Sequence, residues 1–248
     1  MTDSVPLEVR RFFRSALNKI AVSNYDVLKE ELLQSQDFLT SLQDPSSTHA
    51  LALMLHTKSV DERPWVPSYA RLCCDIGGVF AQAVVSECHA ETVRGGARLE
   101  GDTKGRQRAL TNMVLWGHLY LKNVLLGSDA SFLSTVVCPL LLPGDAATTQ
   151  PSAMSVEMFC EVVTVIGHKV EAEASHDEQQ AAILSHLFQT VSALALCHPS
   201  FRVRCKLLNL MELREKGWRL AEASSSTSQN FIGVIMEDTE RLSRSLRK

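Results

Sequence analysis

Apolar side chains in this chain return every third and fourth residue, and the stretches that carry them recur at nearly even intervals. Val9, Phe12, Phe13, Ala16, Leu17 and Ile20 make the first stripe, the signature of one buried face of an α-helix. Pro6 suits that helix's first turn, and Ser23-x-x-Asp26 resembles a capping box opening a second helix through Leu28, Leu32 and Leu33. A third helix runs through Ala50, Leu51, Met54 and Leu55, and a single fourth carries Tyr69, Leu72, Cys73, Ile76 and Phe80. The stretch 94–105, RGGARLEGDTKG, holds four glycines and no apolar period, and reads as a flexible loop. Beyond it Leu110, Met113, Val114, Gly117, Leu121 and Leu125 line a fifth helix, and SFLSTVVCPLLLP gives a sixth. Val156, Phe159, Cys160, Val163, Gly167 and Val170 give a seventh, in which the helical spacing outweighs the β-branched run VVTVIG. The uncharged stretch 181–201, the basic stretch 202–219 and a segment from about Asn230 complete ten.

The first helix of each pair starts near Val5, Ser47, Arg106, Ser152 and Pro199, in steps of 42, 59, 46 and 47 residues. The loop at 94–105 accounts for the one long step. A helix-pair period of about 40–47 residues is that of HEAT and armadillo arrays. The predicted fold is therefore all-α, a HEAT-like solenoid of about five antiparallel hairpins near 5–42, 47–93, 106–142, 152–198 and 199–246. Such arrays bind partners along their faces.

Hydrophobic content of 45% with 21% charged residues is ordinary for a globular protein, and a net charge of −3 argues against a chain that coats nucleic acid. Seven cysteines without a C-x-x-C read as free thiols in a reducing compartment, placing the protein in the cytoplasm. The uncharged stretch is interrupted by Ser185, His186, Gln189, Thr190 and Ser192 and closed by His198-Pro199, so a buried helix is expected rather than a membrane span. No phosphate-binding glycine loop, metal-ligand spacing or nucleophile–base pair occurs. CDIGGVF lies within an apolar helix, and Glu30-Glu31 and Glu171-x-Glu173 read as solvated faces. The expectation is a protein without enzymatic activity or cofactor.

Basic clusters carry the remaining signal. Arg10, Arg11 and Arg14 lie on the first helix, and Arg94, Arg98, Lys104, Arg106 and Arg108 lie in and after the loop. These are the candidate RNA contacts, weak and non-specific because no aromatics interleave with them. The stretch RVRCKLLNLMELREKGWR at 202–219 puts six cations among core leucines. Its arginines either hydrogen-bond neighbouring hairpins or contact a partner.

Five segments in order resemble the middle domain of the translation initiation factor 4G family. They are VRRFFRSALNKI, PSYARLC, RALTNMVLWGHLYLKNVL, CEVVTVIGHKVE and FRVRCKLLNLMELREKGW, spanning residues 9 to 218. His118, the Leu115-Trp116 pair and Asn209 depart from that family's pattern. The resemblance implies a scaffold that holds the DEAD-box RNA helicase initiation factor 4A by its two lobes, at separated points of the array. It implies that a cap-binding protein would attach outside this domain; Tyr120 with Leu125 and Leu126 mimics such a motif inside a core helix. Related middle domains of messenger-decay, splicing and deadenylation scaffolds share the fold with other partners. Helicase contacts are expected at Asn18 and Lys19 near one end, and at Arg204, Glu212, Arg214 and Trp218 near the other.

Overall fold

The computed structural model describes residues 5–96, 102–124, 132–142 and 150–219, and every regular element among them is helical. The first pair is α1 (Leu7–Lys19) with α2 (Tyr25–Gln34) and a short α3 (Gln36–Ser41). The second is α4 (Pro45–Asp61) with α5 (Val66–Ile76) and α6 (Gly78–Gly96). The third is α7 (Thr103–Leu121) followed by a π-turn (Leu133–Val137) and α8 (Cys138–Leu141). The fourth is α9 (Ala153–Ala174) with α10 (Glu178–Cys197), and α11 (Phe201–Glu215) begins the fifth. Each leading helix starts within about three residues of the position read from spacing.

Local chemistry explains most boundaries. Asp44, Asp102 and Ser152 each accept a backbone N–H from three residues on, capping α4, α7 and α9, and Asp177 caps α10. Ser23 does not cap α2 as expected. Asn24 holds the corner instead, its Oδ1 accepting from Ala21 N–H at 2.8 Å and its Nδ2 donating to Lys19 O at 2.8 Å. Ser35 divides the second helix by capping α3.

The fourth helix is not continuous. Gly77 and Gly78 have φ of +66° and +55°, a left-handed pair that ends α5 and restarts the chain as α6. The glycine-rich loop is narrower than read, because α6 runs to Gly96 and α7 starts at Thr103. Its centre, with Arg98, lies outside the described residues, as do Leu125, Leu126 and the expected tenth helix. In the third pair Pro139 lacks the N–H that an α-turn needs, and the π-turn ends two residues before it. VVTVIG is helical within α9, where Val162, Val163 and Ile166 are buried.

The core runs the length of the array. Phe13 stacks on Phe38 at 5.3 Å and meets Phe80 edge-on, and Tyr120 stacks on Phe132 at 4.9 Å. Gly117 lets α7 approach α9 closely, since a Cβ there would sit 3.0 Å from Val165. Among the described residues α10 alone is long and apolar enough to cross a membrane. Its Leu184, Leu187, Phe188, Val191 and Leu194 are buried in this core.

Candidate partner-binding surface

The leading helices α1, α4, α7, α9 and α11 lie side by side, and side chains near their seams decide what a partner could reach. Across α4–α7, Arg108 pairs with Asp61. Across α7–α9, Arg106 pairs with Glu157, a carboxylate with only 4% of its side chain exposed. Glu157 also meets Arg202 of α11 at 3.5 Å. One turn on, Glu161 accepts from Arg63 at 2.5 Å and Lys206 at 2.9 Å. Burial pushes the Glu161 carboxyl up, but the two cations outweigh it and hold it below its ordinary value.

Glu171 forms the other end of this acidic row. Its two oxygens accept from Arg214 Nε and Trp218 Nε1, each at 2.5 Å. The Arg214 guanidinium lies 3.9 Å above the Phe188 ring, and Trp218 packs edge-on to the same ring at 6.2 Å. The Trp218 indole also lies over Gly167, where any side chain would collide with it. Glu173 accepts from Tyr120 Oη at 2.5 Å, and Lys169 sits 4.2 Å above the Tyr120 ring. Glu171 and Glu173 are thus structural ties, not the solvated face their spacing suggested. The sequence signal that marks such ties is Glu157-x-x-x-Glu161, two acids one turn apart on a helix with a wide apolar stripe.

These geometries sort the residues singled out from sequence. Asn18 and Lys19 are exposed at the end of α1. Arg204 turns inward, donating to the carbonyls of His198 at 2.6 Å and Pro199 at 3.3 Å, which fixes the α10–α11 corner. Arg214 and Trp218 share Glu171 as described. Glu212 pairs with Lys216 at 2.5 Å and lines a groove of about 330 Å³ between α9 and α11. Leu207 and Leu210 are core, as expected of the basic stretch, but Leu208 is 51% exposed.

The expected RNA contacts divide similarly. Arg94 is held by Glu91 at 3.1 Å, while Arg106 and Arg108 are committed to Glu157 and Asp61. Arg10 donates to Val5 O at 3.2 Å. Arg11, Arg14 and Lys104 are exposed, with no carboxylate partner among the described residues. No group of three metal-binding side chains occurs among the described residues. Burial pushes the Cys73 and Cys160 thiols up to about 12, which makes them packing groups rather than nucleophiles.

The MIF4G domain family matches residues 10–217, most of the chain, from within α1 to beyond the end of α11. The protein belongs to the MIF4G domain family. Two relatives from Saccharomyces cerevisiae agree. The eukaryotic initiation factor 4F subunit p150 is 23% identical over 85% of this chain and 26% of its own length. The eukaryotic initiation factor 4F subunit p130 is 23% identical over 95% of this chain and 30% of its own length. The chain therefore spans less than a third of the curated relatives it matches. As a MIF4G domain it is an all-α, HEAT-like array, in which Gly117 leaves room for Val165 and Gly167 leaves room for the Trp218 ring.

Proposed function

We propose that this chain serves as a helical scaffold in translation initiation that holds a DEAD-box RNA helicase of the initiation factor 4A type. The observation that carries the reading is the MIF4G match over residues 10–217 together with relatives that are initiation factor subunits. It works by holding rather than by chemistry, in the cytoplasm, with no cofactor. A cap-binding protein would be attached outside this domain. One hairpin array would run from about 5 to 246.

The array separates two surfaces that could each engage one lobe. Asn18 and Lys19 project at the α1 end, and Glu212 edges the α9–α11 groove at the other. Arg204, Arg214 and Trp218 act behind that second surface by fixing the position of α11. Weak RNA contact falls to Arg11, Arg14 and Lys104, whose charge is not spent on a carboxylate of the described chain.

The test is retention of recombinant initiation factor 4A on the immobilised chain, with and without RNA and a non-hydrolysable ATP analogue. Retention and a raised helicase ATPase rate are expected. Asn18→Ala with Lys19→Ala, or Glu212→Ala, should each weaken retention by about tenfold, the scale of a modest interface hot spot. A helicase that is never retained, by a chain whose circular dichroism is helical, removes the helicase from the reading.

A further inference from the structure

One seam of the array is built differently from the rest. The seams α4–α7, α7–α9 and α9–α11 are each bridged by carboxylate–cation pairs. Among the described residues no ion pair bridges α1 and α4. A groove of about 400 Å³ opens there instead. Leu17, Ala50, Leu53 and Met54 line it with apolar surface, and Arg14, Asn18, Thr57, Lys58 and Asp61 line it with polar groups.

The charges around it do not cancel. Lys58 is taken by Glu62 at 2.5 Å, and Asp61 is taken by Arg108. Arg14 has no carboxylate partner among the described residues, and neither has Arg11, one turn earlier on α1. The groove is thus an apolar trough with uncompensated positive charge along one wall. At each of the other seams a cation meets a carboxylate across the seam. Here no carboxylate pairs with Arg14 among the described residues, and Asp61, which also lines the groove, is held by Arg108.

We propose that the α1–α4 groove seats a short acidic amphipathic helix of a partner protein. The helix would set apolar side chains three or four residues apart against Leu53 and Met54 and place a carboxylate on Arg14. The α4 wall from Ala50 to Asp61 extends about 16 Å at 1.5 Å per residue, room for three turns of a partner helix. RNA fits the site less well. Its bases would meet aliphatic surface with no aromatic among the lining residues, and single strands bind by stacking on aromatics as well as by charge. The groove adjoins Asn18, but this proposal does not depend on helicase binding.

The experiment displays a random dodecamer peptide library to the full chain and measures the enriched peptides by fluorescence anisotropy. Peptides carrying an acidic residue flanked by apolar residues at helical spacing are expected. Arg14→Glu and Met54→Glu should each weaken them by about tenfold or more, while Lys104→Glu on α7 changes affinity by less than about twofold. Exchanging the peptide's acid for lysine should restore binding to Arg14→Glu. The proposal is overturned by any of three results in variants that stay folded by circular dichroism. No peptide saturates the chain, or binding ignores both groove substitutions, or Arg14→Glu abolishes polyuridine binding while leaving peptide affinity intact. Helicase retention measured on the same variants separates the two sites: a variant that loses the peptide and keeps the helicase leaves the proposed function untouched.

Discussion

His56 shows what a single buried polar group does in this array. Its Nε2 lies 2.9 Å from Asn112 Oδ1, and Asn112 in turn donates to Cys88 O at 2.9 Å and Thr92 Oγ1 at 3.0 Å. This network joins α4, α6 and α7 within the core. Burial lowers the His56 pKa, more than the Asn112 bond and the nearby Glu91 and Glu87 raise it, and Arg108 adds to the lowering. The folded protein therefore binds this proton less readily than the unfolded chain. The stabilisation is fully present above the ordinary value of 6.5 and is lost as pH falls below it toward the depressed folded value. Urea midpoints should fall between about pH 7 and 5.5, with a shallower fall in His56→Gln. Equal slopes in the two proteins would remove His56 from the acid response.

A second residue-scale test is Gly167→Ala. The new methyl meets the Trp218 ring, so the indole must leave Glu171 and Phe188 or α11 must shift. A loss of about 1–3 kcal/mol is expected from overpacking, read as a lower melting temperature and red-shifted Trp218 emission. In sequence Gly167 showed as one position of a helical stripe and of a resembling motif. Nothing local disclosed that its occupant is Trp218, 51 residues away, because close approach between helices leaves no periodic trace on either one.

Elements were read from the chain with more success than their ends. Every apolar stripe among the described residues became a helix, because a 3.6-residue period on a Leu- and Ala-rich chain has no competing structure. The errors fell where one residue overrides a period. Tyr69 to Phe80 keeps helical spacing straight across Gly77 and Gly78, so periodicity alone could not show the break. Their left-handed backbone demands glycine. Gly77→Ala should cost about 1–2 kcal/mol, the price of placing an L side chain at positive φ, and calorimetry would show it as a lower melting temperature with unchanged helicity. A neutral Gly77→Ala would mean that α5 and α6 can join without strain. The glycines at 94–105 misled in the opposite direction. Gly95, Gly96 and Gly105 lie within α6 and α7, where propensity yields to the neighbouring contacts.

Across the whole molecule the carboxylates of α9 are the organising centre. Glu157 gathers Arg106 and Arg202, Glu161 gathers Arg63 and Lys206, and Glu171 gathers Arg214 and Trp218. Sequence showed the cations as surface clusters, since local pattern does not say which distant carboxylate each one meets. Glu157→Gln removes the buried carboxylate both arginines share. A loss of about 1–2 kcal/mol is expected, moderated because the arginines can turn to solvent. Arg202→Gln, whose side chain is 60% exposed, should cost no more than about 0.5 kcal/mol. Urea titration of the two variants checks the ranking, and equal losses would contradict it.

Among the described residues, charged ties between the first two hairpins lie on one side. Tyr25 Oη donates to Asp75 at 2.8 Å and Arg71 to Asp26 at 2.8 Å, tying α2 to α5, while the α1–α4 side carries no such pair among the described residues. Charge pins the α2–α5 side, so a partner that replaced contacts between α1 and α4 would break no ion pair among the described residues.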